Sequence, residues 1–276
     1  MRQLANAAEQ PGLEADLLLQ AGAGIDRASV YRDGERACTT AVIERTRVLL
    51  TRRLAGEPMA YLLGMQGFRH LQLTVDPRVL IPRPETEELV GLALDRLSGC
   101  RGALIRCLDL GTGSGAIALA LADEGPSRLP PGARLVVTAV DRSDAALAVA
   151  RVNAARCGLD VEWLQGDWFA PLAGRQFDLI VSNPPYVAPG DPHLTRGDLR
   201  FEPETALVAE GDGLAALDQL INSAPAHLSP GGWLLLEHGH DQRDAVNTRL
   251  RAAGFAAVRS HHDLAGNPRH AEGQWR

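Results

Sequence analysis

The sequence predicts an α/β fold in which helices cover both faces of a mostly parallel sheet, preceded by a smaller helical region. From about Ile105 onward, apolar strand-like runs alternate with helical patterns, and this alternation is typical of a parallel sheet covered on both faces. A second observation is that polar residues directly follow several of these runs. Ligands of such sheets bind at the carboxyl ends of the strands, so we expect these residues to meet at one edge. They are Asp109, Asp141, Asp167 and Asn183.

The first 75 residues predict short helices. Leu13, Leu17 and Leu18 form one apolar face, and glycines together with Pro58 interrupt the helical pattern. A second apolar face consists of Val42, Val48, Leu49 and Leu50. We therefore expect residues 1–75 to form a helical domain of their own.

Residues 76–104 predict a linker between this domain and the sheet. Leu71–Val75 alternate as a strand, Asp76–Arg78 contain a turn, and Val79–Ile81 continue as a second short strand. This pattern predicts a hairpin, followed within the linker by the first helix of the larger domain. We expect the remaining residues, 105–276, to form the larger domain.

The larger domain begins with an apolar strand that ends near Leu110, and its further elements follow from hydrophobic periodicity. The predicted strands are Arg134–Val140, Val161–Leu164, Phe177–Ser182 and Trp233–Glu237, and the predicted helices are Asp144–Cys157, Leu214–Leu228 and Asp241–Ala253.

A glycine-rich turn connects the first strand of the larger domain to a helical pattern that starts at Ala116. Its residues are Gly111, Thr112, Gly113, Ser114 and Gly115. Glycines let the backbone approach a ligand closely, and the helix N-terminus offers unpaired N–H groups. The spacing differs from that of dinucleotide enzymes, and a tight turn without a ligand is the alternative. Asp141, after the second strand, is placed to hold a ribose diol or to cap the next helix.

The tetrapeptide Asn183-Pro184-Pro185-Tyr186 directly follows the predicted strand Phe177–Ser182. Two consecutive prolines remove two backbone donors and stiffen the turn. We expect the Asn183 side-chain oxygen and the Pro184 carbonyl to hold a planar –NH2 group by both of its hydrogens. A Pro-Pro turn that only closes the strand is the alternative.

The composition argues against several classes of protein. The 276 residues carry a formal net charge of -6, whereas a phosphate-binding surface needs concentrated positive charge. The four cysteines lack a C-x-x-C spacing, and no apolar run has the length of a signal or membrane segment. We therefore expect a cytoplasmic protein with reduced thiols. The pairs His238/His240 and His261/His262 lack a metal-binding pattern around them, so no metal is expected.

Seven segments resemble the class I S-adenosylmethionine methyltransferases that modify the glutamine of peptide chain release factors. The Asn-Pro-Pro-Tyr turn is shared with enzymes that methylate adenine in DNA, whereas Ile81–Glu87, with the sequence Ile-Pro-Arg-Pro-Glu-Thr-Glu, is more specific. One departure from the family pattern is His238, which stands after Glu237 where an apolar residue is more common. The other matching segments are Glu57–Gly64, the glycine-rich turn, Gly166–Phe169, Phe201–Leu207 and Asp263–Arg269.

The resemblance implies a Rossmann-like class I methyltransferase fold that uses S-adenosylmethionine, yields S-adenosylhomocysteine and needs no metal. The implied substrate is the glutamine of the Gly-Gly-Gln motif in bacterial class I release factors, methylated on its side-chain amide nitrogen, which modulates translation termination. The helical N-terminal domain would dock the release factor. A monomer without direct contact to nucleic acid or membrane is expected.

The expected site residues follow from the motifs and the resemblance together. Asn183 and Pro184 are the expected catalytic groups, and Pro185 and Tyr186 complete the substrate site. The expected cofactor contacts are Asp109, Gly111, Thr112, Gly113, Ser114, Gly115, Asp141, Trp168 and Asn183. Ordinary core packing is the alternative for Trp168, and a structural role is the alternative for Tyr186. Arg83 and Glu85 either shape the pocket or form an ion pair within the linker.

Two rival functions share parts of this pattern. A nucleic-acid adenine methyltransferase would use the same turn, because adenine also presents a planar –NH2 group. Such enzymes need a positively charged groove and often flip the base out of the duplex, which an acidic chain does not favour. A non-catalytic protein that binds S-adenosylmethionine would not need the amide-binding turn.

Overall fold

The computed structural model describes residues 11–276 except 33, 34, 36 and 196. The described residues form two compact units. The first unit contains the residues up to Met65 together with Pro192–Phe201, and the second contains Gln66–Asp191 and Glu202–Arg276. The boundaries at residues 75 and 104 that the sequence suggests stay a prediction.

The first unit is helical. Its α-helices are α1 (Pro11–Ala23), α2 (Arg27–Arg32), α3 (Thr40–Leu54) and α4 (Met59–Leu63). Thr39 caps α3, since its side chain accepts a hydrogen bond from the Val42 N–H. Leu18 of α1 and Leu62 of α4 form a small buried cluster. The expected apolar face of α3 is only partly covered, because α3 has no fully buried residue and Val48 is 55% exposed.

A hairpin precedes the large sheet, but it differs from the expected one. Strand β1 (Met65–Phe68) pairs with β2 (Leu71–Thr74). The prediction that Val79–Ile81 supplies the second strand is therefore wrong. Residues 79–81 form a loop in which the Ile81 N–H donates to the carboxylate of Glu202 instead of a strand partner.

The second unit contains the mostly parallel sheet that the sequence predicts. Its seven strands lie in the order β5-β4-β3-β6-β7-β9-β8. The first five strands of this order pair in parallel, and β9 pairs antiparallel with both β7 and β8. The strands are β3 (Leu104–Leu110), β4 (Arg134–Asp141), β5 (Glu162–Gln165), β6 (Phe177–Ser182), β7 (Leu228–Glu237), β8 (Ala256–His262) and β9 (Pro268–Gln274).

Helices cover both faces of this sheet and enclose two hydrophobic clusters. They are α5 (Pro84–Leu97), α6 (Ala116–Glu124), α7 (Asp144–Cys157), α9 (Ala215–Ser223) and α10 (Arg243–Ala252), and α8 (Glu204–Leu207) is a further short helix of this unit. Leu89 and Leu119 belong to the cluster on one face, and Leu217 and Leu250 belong to the cluster on the other. Within the described residues, no helix is long and apolar enough to cross a membrane.

A buried ion pair joins the antiparallel edge of the sheet to α5. The Arg96 Nε donates to the Glu272 Oε2 at 2.7 Å, and the Arg96 guanidinium lies 4.1 Å from the ring centroid of Trp233. The Glu272 side chain is fully buried. Burial alone raises the pKa of the Glu272 carboxyl, but His261 and Arg96 outweigh burial, and the pKa lies below its ordinary value.

Replacing Arg96 with alanine should lower the free energy of unfolding by about 3 kcal/mol, because it leaves a buried carboxylate with only the His261 imidazole, at 3.2 Å, as its partner. Urea unfolding of the full chain at neutral pH measures this loss. Arg243→Ala is the matched control, since Arg243 pairs with an Asp244 that is 85% exposed, and its loss should stay below about 1 kcal/mol. Equal losses in the two variants would contradict a special role of the buried pair.

Candidate active site

A cavity lies at the carboxyl ends of the parallel strands, where the sequence predicts the site. It has an empty volume of about 990 Å³, including space open to solvent. The predicted residues that line it are Gly111, Gly113, Asp141, Asp167, Trp168, Asn183 and Pro185. The wall also contains residues to which sequence analysis assigned no cofactor contact, among them residues 77–80, Arg142, Pro203, Thr205 and Ala206.

The glycine-rich turn after β3 brings backbone to the wall of the cavity. Gly111, Gly113 and Gly115 all have positive φ, at +73°, +55° and +85°, which other residues adopt only with strain. A Cβ at Gly113 would meet nothing within 4 Å, so the open side of this residue leaves room for a ligand. Thr112 and Ser114 are buried and do not line the cavity.

Asp109 organises this turn from behind. Its Oδ2 accepts hydrogen bonds from the Thr112 hydroxyl at 2.6 Å and from the Ala118 N–H at 3.1 Å. Its Oδ1 is buried and has no partner among the described residues. Burial raises the pKa of Asp109 to about 7, although the hydrogen bonds from Thr112 and Ala118 oppose the rise. Asp109 does not line the cavity, so its position favours an action through the turn.

Asp141 and Trp168 lie where the cavity meets the ends of β4 and β5. The Asp141 carboxylate accepts hydrogen bonds from the Gly113 N–H at 2.8 Å and the Ser143 N–H at 2.9 Å. A carboxylate offers about four acceptor positions, so acceptor capacity remains for a ligand. Trp168 has a φ of +47°, which is rare for a large residue and is typical of constrained functional positions. Its ring lies 3.4 Å from the position of a Cβ at Gly111.

The Asn-Pro-Pro-Tyr turn is held on both sides. Before the turn, the Ser182 hydroxyl donates to the Leu110 carbonyl at 2.6 Å. After it, Val187 pairs with Val208, and the Gln242 side chain donates to the Tyr186 carbonyl at 3.0 Å. In the described part of the chain, neither the Asn183 Oδ1 nor the Pro184 carbonyl accepts a hydrogen bond. Both atoms therefore keep their acceptor capacity. Asn183 lines the cavity, whereas Pro184 is buried and is not among the lining residues.

A buried hydrogen-bond chain lies behind Asn183, and sequence analysis assigned no role to it. The Asn183 Nδ2 donates to the Thr86 Oγ1 at 3.0 Å, and the Thr86 hydroxyl donates to the Glu237 Oε2 at 2.7 Å. The Tyr186 hydroxyl donates to the Glu237 Oε1 at 3.1 Å. Tyr186 thus faces Glu237 and does not line the cavity. Glu237 could have been found from sequence, since it is an acid at the end of an apolar strand.

A third buried carboxylate, Glu202, organises the wall of the cavity. Glu202 accepts a hydrogen bond from the Ile81 N–H at 3.0 Å and pairs with the Arg83 guanidinium. Arg83 therefore forms an ion pair, as one alternative proposed, but its partner is Glu202 and not Glu85. This pair connects two of the matching sequence segments beside the cavity.

Together these features define a class I methyltransferase, with a glycine-rich turn, a strand-end acid and an Asn-Pro-Pro-Tyr turn at one edge of the sheet. A family model described as "Methyltransferase small domain" matches residues 96–198, and one described as "PrmC N-terminal domain" matches residues 1–64. A protein from Xylella fastidiosa (strain Temecula1) named "Release factor glutamine methyltransferase" is 49% identical over 93% of this chain and 90% of its own length. The chain belongs to the release factor glutamine methyltransferase family.

Further comparisons agree with this membership. Proteins of the same name from Vibrio cholerae and Escherichia coli (strain K12) are 45% and 44% identical, each over 98% of this chain and over 92% and 94% of their own lengths. A solved methyltransferase from Pyrococcus furiosus shares the fold, with a TM-score of 0.54 at 19% identity, covering 84% of this chain and 98% of that one. The 16S rRNA N2 G1207 methyltransferase of T. thermophilus also has a TM-score of 0.54, at 22% identity, covering 77% of this chain and 50% of that one.

Gly113→Ala should weaken the binding of S-adenosylmethionine by about tenfold or more, because its Cβ would occupy ligand space and strain the turn. Calorimetric titration measures the affinity. Gly132→Ala is the matched control, since Gly132 also has positive φ and open space but lies outside the cavity. Both variants should lose about 1 kcal/mol of stability, so equal affinities would contradict a cofactor contact at Gly113.

Gly213→Ala should disturb the Asn-Pro-Pro-Tyr turn, because a Cβ there would lie 2.4 Å from the Tyr186 carbonyl oxygen. We expect methyl transfer to fall about tenfold or more, since small displacements at a reacting centre are costly. Gly211→Ala is the control, with positive φ and no atom within 4 Å of its Cβ. A steady-state assay in which both variants have equal rates would contradict this role of Gly213.

Proposed function

We propose that this protein transfers a methyl group from S-adenosylmethionine to the side-chain amide nitrogen of the glutamine in the Gly-Gly-Gln motif of bacterial class I release factors. Relatives that match nearly the full chain carry the name release factor glutamine methyltransferase. The observation that carries the chemistry is the pair of free acceptors, Asn183 Oδ1 and the Pro184 carbonyl, at the end of β6. The modification would modulate translation termination.

The residues of the cavity fit S-adenosylmethionine. Gly113 leaves open space, the Asp141 carboxylate keeps acceptor capacity, and the Asp109 Oδ1 is a buried acceptor without a partner among the described residues. We assign Asp141 to the ribose and Trp168 to the adenine. The methionyl end is assigned to Gly111 and Gly113, which line the cavity, and Asn183 would border the cofactor. Asp109, Thr112, Ser114 and Gly115 would contribute to this binding by shaping the turn from behind. When bound, the cofactor supplies an electrophilic methyl group.

Asn183 and Pro184 would supply alignment and fixed dipoles. The lone pair of an amide nitrogen is delocalised, and no side-chain base deprotonates an amide at neutral pH. Two acceptors that each take one N–H of the substrate amide orient its nitrogen toward the methyl donor. They also stabilise positive charge that develops on that nitrogen. Pro185 borders the cavity, and Tyr186 supports the turn through Glu237.

The protein partner would dock mainly on the helical N-terminal residues. The acidic net charge of -6 disfavours recognition of a nucleic-acid duplex through its phosphates. We therefore propose that the chain acts on a protein and does not bind DNA. We also propose that it is a cytoplasmic monomer that does not bind membranes. Methylation of adenine is the competing function, because the turn would accept that –NH2 group equally well.

Asn183→Ala should lose about 2.7–4 kcal/mol of transition-state stabilisation, or roughly two to three orders of magnitude in kcat, by analogy with the loss of one preorganised hydrogen-bonding group. Peptide-resolved mass spectrometry of a class I release factor incubated with enzyme and S-adenosylmethionine measures the product. The wild-type protein should add one methyl to the Gly-Gly-Gln glutamine.

Asn222→Ala serves as the matched control, since Asn222 is exposed on α9 and should keep wild-type turnover. Adenine-containing duplex DNA is assayed in parallel. An unmodified release factor beside methylated DNA would overturn the substrate assignment. Wild-type turnover by Asn183→Ala would overturn the role of Asn183.

A further inference from the structure

The hydrogen-bond chain behind Asn183 ends at the Glu237 carboxylate, which fixes the direction of each hydrogen bond in the chain when it is ionised. Thr86 is 4% exposed and Glu237 is 1% exposed, so water does not compete for these contacts. An ionised carboxylate only accepts hydrogen bonds. Both hydroxyls that reach Glu237 must therefore donate to it when it is ionised. The Thr86 oxygen then has lone pairs left, and it accepts from the Asn183 Nδ2.

This direction determines which end of the Asn183 amide faces the cavity. The two ends of an asparagine amide have nearly the same shape, and the surrounding hydrogen bonds decide which end points where. With Nδ2 committed to Thr86, Oδ1 is the end available to the substrate. A flipped amide would present N–H to the N–H of the substrate, and the site would repel the group that it must hold.

We infer that Thr86 and Glu237 are positioning residues that orient the Asn183 amide so that its oxygen accepts from the substrate amide. This inference rests on the proposed function, because it concerns the orientation of the group that holds the glutamine. Neither residue needs to touch the substrate. Their effect on the orientation of the Asn183 amide passes over two hydrogen bonds of 2.7 and 3.0 Å. Glu237 also accepts from the Tyr186 hydroxyl and so holds the far end of the same turn.

The surroundings of Glu237 make the charge of this carboxylate sensitive to pH near neutrality. Burial raises the pKa of Glu237 to about 7, while the hydrogen bonds from Thr86 and Tyr186 and the charge of Arg269 oppose the rise. A protonated Glu237 can donate, and the direction of the chain is then no longer determined. The titratable and charged groups next to Glu237 are Tyr186, Arg269, Glu85, His238 and His270.

Thr86→Val tests the role of the Thr86 hydroxyl, because valine removes the hydroxyl and keeps nearly the same side-chain volume. We expect kcat on a release factor to fall about tenfold or more, whereas the calorimetric affinity for S-adenosylmethionine stays within about threefold of wild type. Thr86→Ser keeps the hydroxyl and should restore most of the lost turnover. A role in packing alone predicts the opposite order, because serine leaves a methyl-sized void and valine fills it.

Glu237→Gln tests the direction of the hydrogen bonds in this chain. A glutamine amide at this position can either donate to or accept from Thr86, whereas an ionised carboxylate can only accept. We expect kcat to fall about tenfold at pH 8. The ratio of wild-type kcat to that of Glu237→Gln should shrink as pH falls below about 7, because wild-type Glu237 then becomes protonated. This ratio cancels the titration of other groups that both proteins share. A merely structural role would give a constant ratio.

Thermal unfolding supplies a readout that needs no substrate. Because the pKa of Glu237 is raised in the folded protein, the folded state holds its proton more tightly than the unfolded chain. Wild-type protein should therefore lose stability relative to Glu237→Gln as pH rises from about 4.5 to about 7. A difference in Tm that is independent of pH would contradict a change in the charge of Glu237 over this range.

The failures of the two proposals are distinguishable. If wild-type protein methylates the release factor and Thr86→Val does so at the wild-type rate, the positioning role is wrong and the proposed function stands. If wild-type protein leaves the release factor unmodified, the proposed function fails, and the positioning role fails with it because no substrate amide needs to be oriented.

Discussion

The need to surround buried carboxylates with hydrogen-bond donors is the constraint on which the site depends. A charged oxygen that leaves water must be paired or hydrogen-bonded, since its desolvation is otherwise too costly. Asp109 accepts hydrogen bonds from the Thr112 hydroxyl and the Ala118 N–H, and these contacts organise the glycine-rich turn. Glu237 accepts hydrogen bonds from the Thr86 and Tyr186 hydroxyls, and these contacts organise the turn that carries Asn183. Each buried acid therefore orders one wall of the cavity.

The same constraint explains why the site tolerates unfavourable local structure. The pKa values of Asp109 and Glu237 are both raised to about 7, chiefly by burial, so each charge destabilises the folded state at neutral pH. Trp168 adds a left-handed backbone conformation with φ of +47°. Such features persist only where the surrounding structure over-determines them. Here the two hydrophobic clusters on either face of the sheet supply that support.

Much of this arrangement could be predicted from sequence, because strand ends in a parallel sheet meet at one edge. That rule is enough to bring Asp141, Trp168 and Asn183 to the same cavity. It does not find β8 and β9, since their sequences are polar even where β9 is buried. The hairpin partner is mispredicted because Leu71–Thr74 is flanked by two short segments with apolar residues, Met65–Phe68 before it and Val79–Ile81 after it. The pairing of Thr86 with Glu237 joins residues 151 positions apart, and no local pattern contains that information.

The structure also gives a reason for asparagine at position 183. An aspartate would offer the same acceptor geometry toward a substrate amide. It would, however, add a further negative charge to an edge that already holds Asp109, Asp141 and Glu237, and neighbouring like charges raise a carboxyl pKa. A protonated aspartate donates where the site must accept. A neutral amide oxygen keeps its acceptor character at every physiological pH, provided that its other end remains bound to Thr86.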